Sequence, residues 1–393
     1  MRQTTDVIVL GAGAAGLACA SAAGRRGRRV VLVDHGRRAG AKVMAAGGGR
    51  CNFSNRAVSA ENYVSGNPHF VRSALARFGP GDFLRLLDEH GVGYVEEAGG
   101  RLFCRRSGRD IVEMLLGRCG RGGVEVLLGR PVRAVARRGG RFVVETAPER
   151  WEAEAVVVAT GGLSWPQLGA SDLGHRVARQ FGLGVTQTRP GLAGLVWSAE
   201  DRRRLGGLAG IAARARVRCG RREFVGDVLF THKGFSGPAI LQASLYWRPG
   251  EAMVIDWLPE ADVSALLRER KGRKRPGTVG GFLSRRLPER LVRRWSERYF
   301  ADGPLGECTR EQLEAVGQAI QGWSFTPGGT AGFRQAEVTV GGVDTTGLSS
   351  RTMEAKDVPG LYFIGEVLDV TGQLGGYNLH WAWASGWSAG QAV

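Results

Sequence analysis

No window of the 393-residue chain reaches the roughly 18 unbroken apolar residues of a membrane span. The apolar run that starts at Val7 lacks a strongly charged leader, so it does not read as a signal peptide. The expectation is a soluble, cytoplasmic protein with no membrane partner. Six cysteines (Cys19, Cys51, Cys104, Cys119, Cys219, Cys308) are scattered without CxxC or metal-ligand spacing. That pattern argues against a disulfide framework, a metal site and a dithiol redox pair. No basic stripe interleaved with aromatics is present either. The net charge of +17 is mostly arginine in short runs, as in "GRRGRR" (24–29), "DRRR" (201–204) and "ERKGRKR" (269–275). It reads as a solvated, arginine-biased surface, with nucleic acid not excluded as a partner. A hydrophobic fraction of 43% supplies ample core, and the length suggests two or three domains.

What is present is concentrated at the ends. "DVIVLGAGAAGLACASAAGRRGRRVVLVD" predicts a strand over 6–10, a small-residue helix over 14–23 and a second strand ending at Asp34. Gly11, Gly13 and Gly16 complete GxGxxG between strand and helix. The first allows the tight turn, the second a close approach of backbone to pyrophosphate, and the third close helix–strand packing. Ala14 and Ala15 open the helix, whose N-terminal N–H groups favour phosphate. Asp34 is placed to accept from a ribose diol and disfavours a 2′-phosphate; His35 follows it.

The fingerprint alone does not separate NAD from FAD. The chain continues into a glycine-rich loop without strand pattern, "AKVMAAGGGRCNFSN" (41–55), rather than into further strand–helix alternation. Strands are then predicted over 124–128, 132–135, 141–146 and 155–159, with the later ones forming a meander that runs into Thr160-Gly161-Gly162. "GLYFIGE" (360–366) ends on Gly365-Glu366. This order resembles the FAD domain of glutathione-reductase-like flavoproteins.

More specifically, "GGGRCNFSN" (47–55), "ATGGLSWPQLGASDLGHRVARQFG" (159–182), "GDVLFTHKGFSGPAILQAS" (226–244) and the segment 337–386 resemble the BaiN/YhiN-type, aminoacetone-oxidase-like FAD-binding flavoproteins. They span nearly the whole chain in family order. The resemblance implies an α/β fold: a Rossmann-like FAD domain of glutathione-reductase type (1–190 and 345–393), interrupted by a β-rich domain (191–260 and 325–344). That domain in turn carries a small helical insert (261–324). Helical periodicity broken at Pro276-Gly277 and a plausible N-cap at Thr309 support the last division independently. Two departures stand out. Cys104 and Arg105 lie where relatives carry a proline-bearing segment, and the second acid of the nucleotide site is an Asp where many relatives use Glu.

The expected flavin contacts follow from these segments. Lys42 can reach phosphate; Gly48, Gly49, Arg50 and Cys51 can line the ring; Val132, Thr160 and Gly161 close on the nucleotide. Gly365, Glu366 and Asp369 offer acids to the ribityl hydroxyls. Gly375 and Gly376 pass under the ring, and Tyr377, Asn378 and Leu379 open a helix whose positive end faces the pyrimidine. Catalytic candidates are Cys51, His232 and His380. With no second cysteine nearby in sequence, Cys51 reads as a packing residue. His232 divides between an acid–base role and a turn before a helix at Pro238, and His380 reads as packing. Trp381, Trp383 and Trp387 are expected to bury the last helix on the sheet.

The function expected is that of an FAD-dependent oxidoreductase acting through a non-covalent flavin on a small molecule bound where the inserted domain meets the ring. No second GxGxxG in strand–helix context is present, so NAD(P)H would act only as a transient reductant, with O₂ an alternative acceptor. Two alternatives from other classes are a flavoprotein acting on or binding RNA through its basic surface and a flavin-bound sensor without turnover.

Overall fold

Val7–Leu10, four apolar residues without a polar interruption, form the centre of a five-stranded parallel sheet. Its order is Leu361–Phe363, Ala155–Val158, Val7–Leu10, Val30–Val33 and Glu125–Leu127. The three inner strands are buried along their whole length, which is why their sequences are continuous rather than alternating. The computed structural model describes residues 2–275 and 277–393. It divides them into two compact units, Met1–Pro190 with Glu337–Val393, and Gly191–Ala336.

In the first unit, the helix Ala14–Arg25 packs against the C-terminal helix Tyr377–Gly390 through small residues. A Cβ on Gly386 would lie 2.5 Å from the Ala15 carbonyl oxygen, and one on Gly390 2.6 Å from the Ala22 Cβ. The tryptophans of the last helix do more than cover the sheet. Trp381 Nε1 donates to Gly365 O (3.2 Å) and Trp383 Nε1 to Phe53 O (2.9 Å), while Trp387 stacks on Phe78.

Two expectations are revised. The antiparallel meander consists of Val132–Arg138, Arg141–Thr146 and Arg150–Ala153, extended by Arg2–Thr4. The strand Ala155–Val158 instead joins the parallel sheet, as its unbroken apolar AVVV run requires, and Glu125–Leu127 forms the edge of the same sheet. The 41–55 segment is also less of a loop than its glycines suggest. It holds a helix (Ala41–Ala45), a 3₁₀ turn (Ala46–Gly49) and a strand (Asn52–Asn55) paired with Arg101–Cys104. That strand is too short for its own alternation to declare it, so its partner strand defines it.

The second unit is built on a seven-stranded sheet ordered Trp323–Phe325, Met253–Asp256, Ala212–Cys219, Arg222–Phe230, Gly234–Ser236, Leu195–Val196 and Gly329–Thr330. Every pairing in it is antiparallel. Helices Val263–Lys271, Val279–Leu283, Glu289–Ser296 and Arg310–Gln321 accompany it. Trp257, Trp295, Phe230 and Phe235 form its aromatic core, with Phe230 stacked 5.3 Å from Trp257. Thr309 caps the last of these helices, its hydroxyl accepting from Gln312 N while Gln312 Oε1 accepts from Thr309 N (2.7 Å). Pro276, half of the expected helix break, lies outside the described residues.

Candidate flavin site

The three glycines of the fingerprint are required for two different reasons. A Cβ on Gly11 would lie 2.4 Å from Ala159 O, and one on Gly16 1.8 Å from Gly11 O, so the protein's own packing forbids side chains there. A Cβ on Gly13 would meet nothing within 4 Å. The space in front of Gly13 is open, and it lies at the start of a helix whose first-turn N–H groups, from Ala14 and Ala15 onward, lack carbonyl partners within the helix. Asp34 is fixed beside it: Oδ2 accepts from Ala12 N and Oδ1 from Gly36 N, each at 2.6 Å. His35 is half-exposed, its Nδ1 3.7 Å from Asp34.

Lys42 does not stand free. Its Nζ donates to Glu366 Oε2 (2.7 Å) and Ser164 Oγ (2.8 Å). Glu366 Oε1 accepts from Ser164 Oγ (2.8 Å) and Thr339 N (3.0 Å), and Thr339 Oγ1 accepts from Leu163 N and Ser164 N. Burial pushes the Glu366 carboxyl up, but the Lys42 charge and these hydrogen bonds outweigh it and hold the group below the usual glutamate value. Ser164 and Thr339 escaped the sequence reading; only the position of Ser164 just beyond Thr160-Gly161-Gly162 hinted at it. The Thr160 hydroxyl is buried without a partner among the described residues, and a Cβ on Gly161 would enter open space. Gly365, with φ 73°, donates its N–H to Ser385 Oγ (3.0 Å).

The two glycine-rich segments expected at the ring are brought together. Gly47, Gly48 and Gly49 all adopt positive φ, as does Cys51 (φ 52°), which is uncommon for a residue with a side chain. A Cβ on Gly48 would meet nothing within 4 Å, whereas one on Gly376 would lie 2.2 Å from Ser54 O. Asn55 Nδ2 donates to Gly375 O (3.1 Å), and Tyr63 OH donates to Tyr377 O (3.0 Å). Asn378 grips Gly372 from both sides, accepting from its N–H and donating to its carbonyl, each at 2.8 Å. The C-terminal helix thus starts at a pinned loop. The first-turn N–H groups of Tyr377, Asn378 and Leu379 have no partner within the helix.

Of the remaining candidates, Arg50 and Asp369 have partners of their own. Arg50 pairs with Glu97 (2.8 Å) and lies over the Phe103 ring. Asp369 is buried with Oδ2 accepting from Gly66 N (3.0 Å), and burial pushes its carboxyl up. Val132 opens the first strand of the meander. His232, in the second unit, is exposed in the turn between Arg222–Phe230 and Gly234–Ser236, and the following helix does begin at Pro238.

The sequence places no second cysteine near Cys51, yet in the fold the Cys51 thiol hydrogen-bonds Cys104. The two residues flank the pairing of Asn52–Asn55 with Arg101–Cys104, a neighbourhood invisible across 53 positions of sequence. Both are free and buried. The hydrogen bond, then burial, pushes the Cys51 thiol well up, so it stays protonated near neutrality.

His380 is fully buried, with Nδ1 2.9 Å from Ser54 Oγ and Nε2 3.2 Å from Phe78 O. A carbonyl only accepts, so Nε2 carries the proton and Nδ1 accepts from the serine. Burial lowers its pKa to about 4, against smaller upward contributions from Phe78 O and Asp82. A folded-state value below the unfolded 6.5 makes this histidine's contribution complete above pH 6.5 and lost as pH falls towards 4. The loss is about 3 kcal/mol. Urea titrations at pH 7 and 4.5 are expected to show this slope, and His380→Gln to flatten it; an unchanged slope would refute the assignment.

Open space at Gly13, Gly48 and Gly161, an unpartnered buried hydroxyl at Thr160 and a fixed acid at Asp34 fit a flavin dinucleotide. The family described as HI0933-like protein Rossmann domain matches residues 5–392. The chain belongs to this family. A protein of Escherichia coli named ribosomal RNA dihydrouridine synthase is 45% identical over 98% of this chain and 97% of its own length. A 3-dehydro-bile acid delta(4,6)-reductase of Clostridium scindens is 31% identical over 98% of both chains. Among solved structures, a 3-ketosteroid-delta4-(5alpha)-dehydrogenase from Rhodococcus jostii aligns over 99% of this chain and 97% of its own. Its TM-score is 0.50 at 15% identity, a likeness of fold. This HI0933-like chain is therefore an FAD-dependent oxidoreductase, as its motifs imply. No helix among its described residues is long and apolar enough to cross a membrane.

Proposed function

We propose that the chain is an FAD-dependent reductase that saturates a carbon–carbon double bond conjugated to a carbonyl, and that its substrate is a uracil base in RNA. Full-length identity of 45% to the E. coli protein named ribosomal RNA dihydrouridine synthase carries the reading. A net charge of +17, left without a partner by the sequence, is consistent with a polyanionic substrate. A small conjugated ketone is the second reading, favoured by the 31% relative and by the small-molecule expectation from sequence.

Bound FAD would supply the two-electron chemistry, accepting from a transient donor such as NAD(P)H. The chain's own part is to hold and polarise. The open space at Gly13 and the helix start behind it would take the pyrophosphate, and Asp34 the adenosine ribose. Gly48 and the pinned loop at 372–376 would let the backbone lie against the ring. The first-turn N–H groups at 377–379 would place a positive field at its pyrimidine side, favouring accumulation of negative charge there. Saturation also requires a proton. Cys51 and His380 are both buried in hydrogen bonds, so neither is assigned as its donor.

The test uses purified yellow protein with NADH or NADPH under anaerobic conditions and, separately, unmodified ribosomal RNA or a conjugated steroid ketone. Digestion and mass spectrometry are expected to show uridine gaining two hydrogens. Turnover of the ketone alone, with RNA unchanged, would overturn the RNA reading and favour the second.

A further inference from the structure

The positive charge of the chain is unevenly placed. Residues 261–300 hold twelve Lys or Arg and four Asp or Glu, so 40 residues carry +8 of the net +17. Within that stretch the helix Glu289–Ser296 buries Leu291, Val292 and Trp295, which commits Arg290, Arg293 and Arg294 to its outer surface. Two of the three are fastened in place. Arg290 donates to Gly207 O, and Arg294 donates to Gly206 O (2.9 Å) and pairs with Glu297 (3.0 Å). Their acceptors lie at the end of the helix Ala199–Leu205, whose last turn adds the exposed Arg202, Arg203 and Arg204. The result is a cleft of about 310 Å³ lined by Gly207, Leu208, Arg290, Arg293, Arg294 and Glu297.

A solvated face would not produce this geometry. Guanidinium groups anchored on backbone carbonyls have given up rotamer freedom and keep unused N–H donors for a ligand. Arg293 is exposed and makes no side-chain hydrogen bond or ion pair among the described residues. Glu297 is the one acid of the lining, and Arg294 already neutralises it. An array of planar cationic forks matches the oxygens of a phosphate. We propose that this arginine-walled cleft docks a phosphate of the RNA backbone. The proposal rests on the RNA reading above and assigns that RNA a binding surface in the second unit.

Arg290→Glu/Arg293→Glu in the flavin-loaded full chain tests it, since both side chains line the cleft, are exposed and lie outside the flavin site. The probe is a ribosomal RNA fragment, with affinity followed by anisotropy over a salt series. Roughly tenfold weaker binding is expected, with the salt slope reduced by about one for each phosphate no longer neutralised. Flavin content and bleaching by the donor should match wild type. Arg248→Glu, an exposed change outside the cleft lining, should leave binding near wild type. Equal weakening by Arg248→Glu would overturn the cleft in favour of general charge. Wild-type RNA modification with unweakened binding by the double variant would overturn the cleft alone. Wild-type protein that neither binds nor modifies RNA would remove both readings.

Discussion

Gly13→Val is expected to yield a folded protein without flavin. Gly13 has φ −81° and ψ −168°, an extended conformation that a β-branched residue adopts readily. Its Cβ would meet no heavy atom within 4 Å beyond its chain neighbours, so the side chain has open space to enter. The added isopropyl group fills the space in front of the helix N-terminus, where the pyrophosphate must approach the backbone. FAD affinity should fall at least about a hundredfold, roughly 2.7 kcal/mol. Absorbance at 450 nm per mole of protein reads the loss, and circular dichroism with the thermal midpoint of the flavin-stripped wild type as reference reads the fold. Gly16→Val is the contrasting case, because its Cβ would sit 1.8 Å from Gly11 O and so disturb the fold itself. A Gly13→Val protein that purifies yellow and stoichiometric would show that the pyrophosphate lies elsewhere.

The difference between those two glycines also marks how far the sequence could be read. Strand, helix, strand and terminal acid over 6–34 were legible because each rests on a local rule: an apolar run, small residues on a packing helix, glycines at a tight turn. The helix start at Pro238 and the cap at Thr309 were legible for the same reason. Partnerships between distant segments were not. Lys42 carried a phosphate expectation because a lysine beside a glycine loop suggests it; that its ammonium meets a carboxylate 324 residues later has no local signature. The Cys51–Cys104 contact and the bridge from Ser54 to His380 are of the same kind, each created by strand register and helix docking. The strand Arg150–Ala153 has no signature of its own because the alternation of its four residues, RWEA, is too short to declare a strand.

Lys42→Met should expose the energetic role of that distant pairing. Glu366 retains about 20% of its side-chain surface and Lys42 35%, so the pair is largely, though not wholly, withdrawn from water. Removing one partner of a fully buried pair costs about 3–5 kcal/mol, because the other charge remains uncompensated. Partial exposure of Lys42 lowers the expectation to about 2–3 kcal/mol. The pH dependence identifies the cause. In the wild type, the Glu366 carboxyl lies below the ordinary 4.5, so its contribution is present above pH 4.5 and is lost as pH falls through the depressed value. In Lys42→Met, burial acts on the carboxyl without the opposing cation and drives its folded-state value above 4.5. The folded state then takes up a proton before the unfolded state does, and the deficit should shrink as pH is lowered from 8 to 5. Urea midpoints at the two pH values measure this directly. The double variant Lys42→Met/Glu366→Gln removes both charges while keeping an acceptor for Ser164 Oγ and Thr339 N, so it should be more stable at pH 8 than Lys42→Met alone. A deficit in Lys42→Met that is the same at pH 8 and pH 5, and is not relieved in the double variant, would show that missing packing of the lysine stem, rather than the stranded charge, sets its stability.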